Sequence, residues 1–215
     1  MKTRIKVCGL TNLGDALAAR ELGAFALGFI FAESRRRVSP TVAKEIIDQL
    51  RKSNFQTPQM IGVFVDENLE TVLSTVAETG LSGVQLHGAE SPEYVSNLRK
   101  AQPTLFIIKA ITITAEGFTQ LPQAFEDCDC LLFDSNESRE SDRPRSLVQW
   151  QRLRGLGKEK PYFIAGGLRA DNLAPLLTTL APYGVDVGSG IESGPGTKDL
   201  SEMKKFFVVA GELYV

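Results

Sequence analysis

Eight short apolar runs recur along the chain, each followed by a stretch in which apolar positions return every three or four residues. The runs are Thr3–Cys8, Phe25–Phe31, Gln59–Val65, Gly83–Leu86, Thr104–Ala110, Cys130–Asp134, Pro161–Ile164 and Val185–Val187. They are rich in Val, Ile, Phe and Leu and bounded by glycine, proline or polar clusters, which predicts strands. Most are continuously apolar instead of alternating, as parallel strands covered on both faces are. The intervening stretches predict helices. Asn12 is placed to cap one bearing Ala16, Leu17, Ala19, Arg20 and Leu22, with Gly23 ending it. Ser39-Pro40 opens a second, with Val42, Ile46, Ile47 and Leu50 on one face. Asn68–Thr79, stopped by Gly80, is a third, and Ser91-Pro92 opens a fourth. Further helices are predicted near 115–125, 146–155, 171–180 and 199–213.

Eight strand–helix units in 215 residues come to about 27 residues each, compact but sufficient for a (β/α)8 barrel. A doubly wound open sheet would show the same alternation. Two features favour the barrel: no G-x-G-x-x-G follows the first strand, and polar residues stand at the C-terminal ends of several strands. No linker or composition shift divides the chain, so the expected architecture is α/β, a single (β/α)8 TIM barrel over residues 1–215.

Charge and composition narrow the function classes. A net charge of −2 gives no basic field for nucleic acid or an anionic membrane. The longest apolar runs are far too short to span a bilayer, and the N-terminus lacks a secretory apolar segment. Three cysteines, Cys8, Cys128 and Cys130, cannot make an even disulfide framework, which points to the reducing cytoplasm. One histidine against 19 glycines excludes a histidine-rich metal site and favours backbone-lined loops.

In a barrel of this kind chemistry sits where strands end. Those points read, in order, Lys6 to Thr11, Ser34 to Ser39, Gly62-Val63-Phe64-Val65, Gln85-Leu86-His87-Gly88, Lys109-Ala110, Leu132-Phe133-Asp134-Ser135, Ala165-Gly166-Gly167-Leu168 and Val185 to Gly190. The ordered set resembles the phosphoribosylanthranilate isomerase family. Its K-x-C-G-[IL]-T start, arginine-bearing second loop, G-V-F-V, Q-L-H-G, A-G-G-L and D-V-x-S-G-[IV]-E motifs all have counterparts, and its terminal P-G-x-K-D is Pro195, Gly196, Lys198 and Asp199. The resemblance runs from residue 2 to about 200. Where the family carries a glycine-rich motif and F-D-W in the sixth loop, this chain has Glu140 to Ser146, and only Trp150 persists. Arg35 also replaces a frequent proline, and Gly188 a common serine.

Each candidate has a bland reading. A cysteine such as Cys8 is often a small buried hydrophobe. Facing the mouth, however, it would have Lys6 one step deeper on the same side, and a nearby ammonium favours the thiolate. The resemblance implies that Cys8 is the general base and Asp134, ending the sixth strand, the general acid, although Asp134 alone could be a loop cap. In a partly apolar mouth the carboxyl of Asp134 should be pushed upward. Arg35, Arg36 and Arg37 read as a solvated run. The resemblance singles out one arginine for the anthranilate carboxylate, and Arg36 aligns best. Gly166-Gly167 and Gly188-Ser189-Gly190 are ordinary turns singly, but after strands seven and eight they suit a phosphate. Gln85 and Asp186 are implied substrate contacts in the pocket. His87 is expected to shape the fourth loop, and Cys128 and Cys130 to be structural.

The resemblance implies an Amadori rearrangement of N-(5-phosphoribosyl)anthranilate to the 1-deoxyribulose 5-phosphate product in tryptophan biosynthesis, without cofactor or metal. The expected partner is a small phosphoribosyl substrate, with no nucleic acid and no membrane. Sequence leaves monomer and homodimer open. The competing readings are a related histidine-pathway aminoaldose isomerase, whose first strand would end in aspartate, and a barrel that binds phosphosugars or a partner enzyme without turnover.

Overall fold

The computed structural model describes residues 3–52, 57–114, 117–135, 153 and 160–212. Eight parallel strands close on themselves: β1 (Arg4–Cys8), β2 (Ala26–Ile30), β3 (Gln59–Phe64), β4 (Gly83–Leu86), β5 (Phe106–Thr112), β6 (Cys130–Asp134), β7 (Tyr162–Ala165) and β8 (Gly184–Val187). Six described helices pack outside: α1 (Leu13–Glu21), α2 (Pro40–Arg51), α3 (Leu69–Thr79), α4 (Pro92–Ala101), α5 (Ala170–Leu180) and α6 (Leu200–Glu212). Beyond β8 the chain adds a small antiparallel hairpin, β9 (Glu192–Gly194) and β10 (Thr197–Lys198).

The helix starts form for the reason their residues suggested. The side chains of Asn12, Ser39, Asn68 and Ser91 each accept a hydrogen bond from the backbone amide three residues on. Helix α3 stops at Gly80, which adopts φ +72°, a conformation costly for a residue with a Cβ.

Two expected elements differ. Strand β5 lies two residues later than the apolar run, because Leu105 turns back to Gln102 while Ile111 and Thr112 continue the ladder opposite Phe133 and Asp134. The helix expected near 115–125 does not form among its described residues. Thr119 donates to the Thr112 carbonyl, folding the chain back on β5, and only a single 3₁₀ turn follows at Pro122–Ala124. The helix expected near 146–155 lies outside the described residues apart from Leu153.

Strand alternation separates two apolar regions. Ile107, Ile111 and Phe133 point outward to the helices, whereas Ile61, Ile108, Ala110, Leu132, Phe163 and Ala165 fill the barrel. At the N-terminal end Phe25, Phe106, Phe163 and Tyr183 meet in edge-on and tilted ring contacts, giving the barrel an aromatic floor.

Lys109 corrects the list of strand-end groups. By alternation it faces outward, fully buried, and its ammonium donates to Glu90 Oε2 at 2.9 Å and to the Gly88 carbonyl at 2.7 Å. Glu90 in turn accepts from the amides of Asp66 and Gly88, tying the loops after β3 and β4 together. Removing the ammonium would leave a buried, uncompensated carboxylate. Lys109→Met should therefore lower unfolding free energy by about 3–5 kcal/mol in urea titrations. A loss under about 1 kcal/mol would show that water or rearrangement relieves Glu90.

Candidate functional site

The C-terminal mouth of the barrel is polar where the floor is aromatic. Lys6 and Asp186 face each other across the β1–β8 register, with Lys6 Nζ 3.0 Å from both carboxylate oxygens. Cys8 lies one inward step above. A Cβ added at Gly28 on β2 would come within 2.9 Å of Cys8 Sγ and 3.2 Å of Lys6 Nζ, so only glycine leaves room for these groups.

Lys6 does sit beside Cys8, but its effect is smaller than the sequence suggested. Burial pushes the Cys8 thiol above its ordinary value; Lys6 and Lys198 oppose this and Asp186 reinforces it. The ammonium is shared with Asp186, so its pull on the thiol is partly spent. For Lys6 itself burial acts downward, yet Asp186 and Cys8 outweigh it and hold the ammonium above its usual value.

Asp134 ends β6 with its side chain 16% exposed. His87 does more than shape a loop: its Nε2 lies 3.3 Å from Asp134 Oδ2. Its Nδ1 lies 2.6 Å from Gln85 Nε2, so Gln85, His87 and Asp134 form a chain from the barrel interior to the mouth. Gln85 is buried, and its Oε1 has no hydrogen-bond partner among the described residues. Gly166, at φ +104°, packs so closely on this corner that an added Cβ would meet Ser135 Oγ at 2.5 Å and Asp134 Oδ1 at 2.8 Å.

Of the three consecutive arginines, Arg35 and Arg37 are exposed and Arg36 turns inward. Its Nε and Nη2 donate to both oxygens of Glu192, at 2.7 to 3.0 Å. Those hydrogen bonds hold the guanidinium above its ordinary value, against its burial. Burial would raise the Glu192 carboxyl, but Arg36 and Lys198 override it and keep it below the carboxylate range. Glu192 and Lys198 were visible in the sequence only as parts of the D-V-x-S-G-[IV]-E and P-G-x-K-D motifs. Nothing local gave either a role, because their meeting depends on the β9–β10 turn.

The glycine loops after β7 and β8 are in contact. A Cβ on Gly190 would overlap the Leu168 carbonyl, while Gly166 and Gly167 both have positive φ. Gly188 is different: among the described residues an added Cβ there would find only the Cys8 carbonyl within 4 Å, at 3.6 Å. Ser189 opens a single 3₁₀ turn ending at Ile191. The altered sixth loop, Glu140 to Ser146 with Trp150, lies outside the described residues. Cys128 and Cys130 are free and buried at the start of β6, away from the mouth.

A closed parallel barrel with ionisable side chains and glycine-lined loops gathered at its C-terminal strand ends defines a (β/α)8-barrel enzyme. The family model described as N-(5'phosphoribosyl)anthranilate (PRA) isomerase matches residues 5–209, and the chain belongs to that family. The N-(5'-phosphoribosyl)anthranilate isomerase of Gloeothece citriformis is 37% identical over 206 residues, covering 95% of this chain and 92% of the relative. A Bacillus cereus enzyme of the same name is 38% identical over 211 residues, covering 97% and 98%. Among solved structures, the phosphoribosyl anthranilate isomerase of Thermus thermophilus superposes with a TM-score of 0.83 at 33% identity, covering 99% of this chain and 100% of that one. Another, 31% identical with a TM-score of 0.79 and coverages of 97% and 98%, is in complex with reduced 1-(o-carboxyphenylamino)-1-deoxyribulose 5-phosphate.

The state of the Cys8 thiol can be read directly. Cys8 is partly exposed while Cys128 and Cys130 are buried, so alkylation by iodoacetamide should report on Cys8. A raised thiol gains thiolate only on the alkaline side, so the rate should still be climbing at its ordinary value, 9.0. A plateau near neutrality would mean that the lysines outweigh burial.

Proposed function

We propose that Cys8 and Asp134 carry the proton transfers by which this phosphoribosylanthranilate isomerase rearranges N-(5'-phosphoribosyl)anthranilate in tryptophan biosynthesis. The supporting observation is their convergence: β1 and β6 end on one mouth, and Cys8 and Asp134 are the last residues of those two strands. Asp134 gives a proton to the furanose ring oxygen, and the ring opens to an iminium ion. That electron sink acidifies the C2 proton of the ribose, which Cys8 takes as thiolate, leaving an enolamine. Tautomerisation then yields the ketose, so no net proton is gained or lost. His87 and Gln85 support Asp134 from below, and Asp186 keeps Lys6 charged beneath Cys8.

Arg36 takes the anthranilate carboxylate. Its Nε and Nη2 are already directed to Glu192, and Nη1 makes no hydrogen bond among the described residues. The phosphate takes the backbone amides around Gly166–Gly167 and Gly188–Ser189–Gly190, which approach an anion closely because they lack side chains or are held in turns. Holding the substrate at both ends fixes the ribose between acid and base. Gln85 and Asp186 lie deeper, where the ribose hydroxyls and the bridging amine would reach. The three cysteines are free, which supports a cytoplasmic setting. Among the described residues no helix is long and apolar enough to cross a membrane.

The purified protein, given anthranilate, phosphoribosyl pyrophosphate and the transferase that joins them, should speed the loss of substrate fluorescence. Cys8→Ala and Asp134→Asn should each lower kcat by about 10²–10⁴-fold while the melting curve is kept. Near-normal turnover in either variant would remove that residue from the mechanism. Crystals soaked in phosphate should place the ion between Gly166–Gly167 and Gly188–Gly190. Occupancy elsewhere in the mouth with that cleft empty would overturn the phosphate assignment.

A further inference from the structure

Lys198 is wholly buried at the side chain and satisfies three acceptors at once. Its ammonium donates to the Cys8 carbonyl at 2.6 Å, to the Gly188 carbonyl at 3.1 Å and to Glu192 Oε1 at 2.9 Å. It therefore touches the strand end carrying Cys8, the loop after β8 and the carboxylate that holds Arg36. The β9–β10 hairpin that delivers it is pinned to the loop after β1 and to the first turn of α1: Thr11 Oγ1 donates to the Gly196 carbonyl and the Lys198 amide donates to Asp15 Oδ2, at 2.5 and 2.8 Å.

Charge arithmetic gives this arrangement a consequence. Arg36 and Glu192 alone make a neutral, doubly hydrogen-bonded pair, and a guanidinium so compensated attracts a second carboxylate weakly. With Lys198 against the other side of Glu192, the three groups carry a net charge of about +1, the ammonium and guanidinium outnumbering one carboxylate. We propose that Lys198 is a positioning residue that, by neutralising Glu192, leaves Arg36 with a free positive charge and so makes the site selective for a ligand bearing a carboxylate at that end. Glu192 orients the guanidinium, and Lys198 prevents it from quenching the guanidinium's charge. The inference rests on the assignment of Arg36 to the substrate carboxylate and adds the source of its selectivity.

The test compares two probes, reduced 1-(o-carboxyphenylamino)-1-deoxyribulose 5-phosphate and the same compound without the carboxyl group, by calorimetry at fixed ionic strength. The unaltered enzyme should prefer the carboxylated probe. In Lys198→Gln, whose amide can still donate to the two carbonyls, that preference should fall by at least about tenfold, with affinity for the decarboxylated probe changed less than twofold. Lys198→Arg should restore most of the preference. Lys198→Met should lose the preference as Lys198→Gln does, so a folding failure in one leaves the other to decide. A preference kept in Lys198→Gln, or an equal loss for both probes, overturns the charge role of Lys198 while leaving the Arg36 assignment standing. No preference in the unaltered enzyme overturns the Arg36 assignment and this inference together.

A kinetic readout separates charge from scaffold. Cys8 is faced by Lys6 from its own strand, Asp186 from β8, Arg36 from the loop after β2 and Lys198 from β10, and only the last is altered. Loss of that cation should move the rising limb of the pH profile of kcat/KM to higher pH, and an unmoved limb counts against an electrostatic role.

Discussion

The seam where β8 meets β1 sets the terms for everything above it. Pairing β1 with β8 in register places Lys6 beside Asp186 inside the barrel, where each compensates the other's charge. A buried ion pair of this kind is a poor source of stability, since desolvation consumes much of the attraction. What it supplies is position. The ammonium stays fixed beneath Cys8, and Asp186 limits how far it can draw the thiol down. The same seam brings the carbonyls of Cys8 and Gly188 close enough for one ammonium, that of Lys198, to bind both.

Above and below this seam the barrel interior divides by polarity. Aromatic rings meet at the N-terminal end and apolar side chains fill the middle, while Lys6, Gln85 and Asp186 are buried and Asp134 is 16% exposed at the mouth. In that setting a partner lying 3 Å away matters more than net charge, which for the whole chain is nearly zero. Lys6, Asp134 and Arg36 each have such a neighbour: Asp186 for Lys6, His87 for Asp134 and Glu192 for Arg36. The outer layer follows the same rule, with Lys109 compensating Glu90 behind the loop that carries His87.

Much of this was legible in the sequence for local reasons. Strands announced themselves by apolar runs, and four helix starts by a capping side chain. The stretch after β5 misled because a helix-compatible composition was overridden by Thr112–Thr119 pairing, which periodicity does not register. Cys8, Asp134 and Arg36 could be nominated because each stands at a strand end or in its loop. Glu192 and Lys198 could not be given roles, since their contacts span up to 190 positions of sequence and pass through a hairpin too short to leave a pattern. His87 was underrated for the same reason: its partner is on a strand two places along the barrel.

The glycine excess acquires a physical meaning that extends beyond the loops after β7 and β8. Gly28 lies against Cys8 and Lys6, Gly166 against Asp134, and Gly9, at φ +75°, under the side chain of Arg36. Each group assigned to the chemistry or to the carboxylate thus has a backbone position without a Cβ beside it. The reason is the diameter of the barrel. Eight strands leave an interior just wide enough for side chains, so bulky polar groups rising from one strand fit only where a facing strand or loop carries none. At Gly9, Gly28 and Gly166 the absence of a Cβ and the placement of the candidate side chains are therefore one constraint.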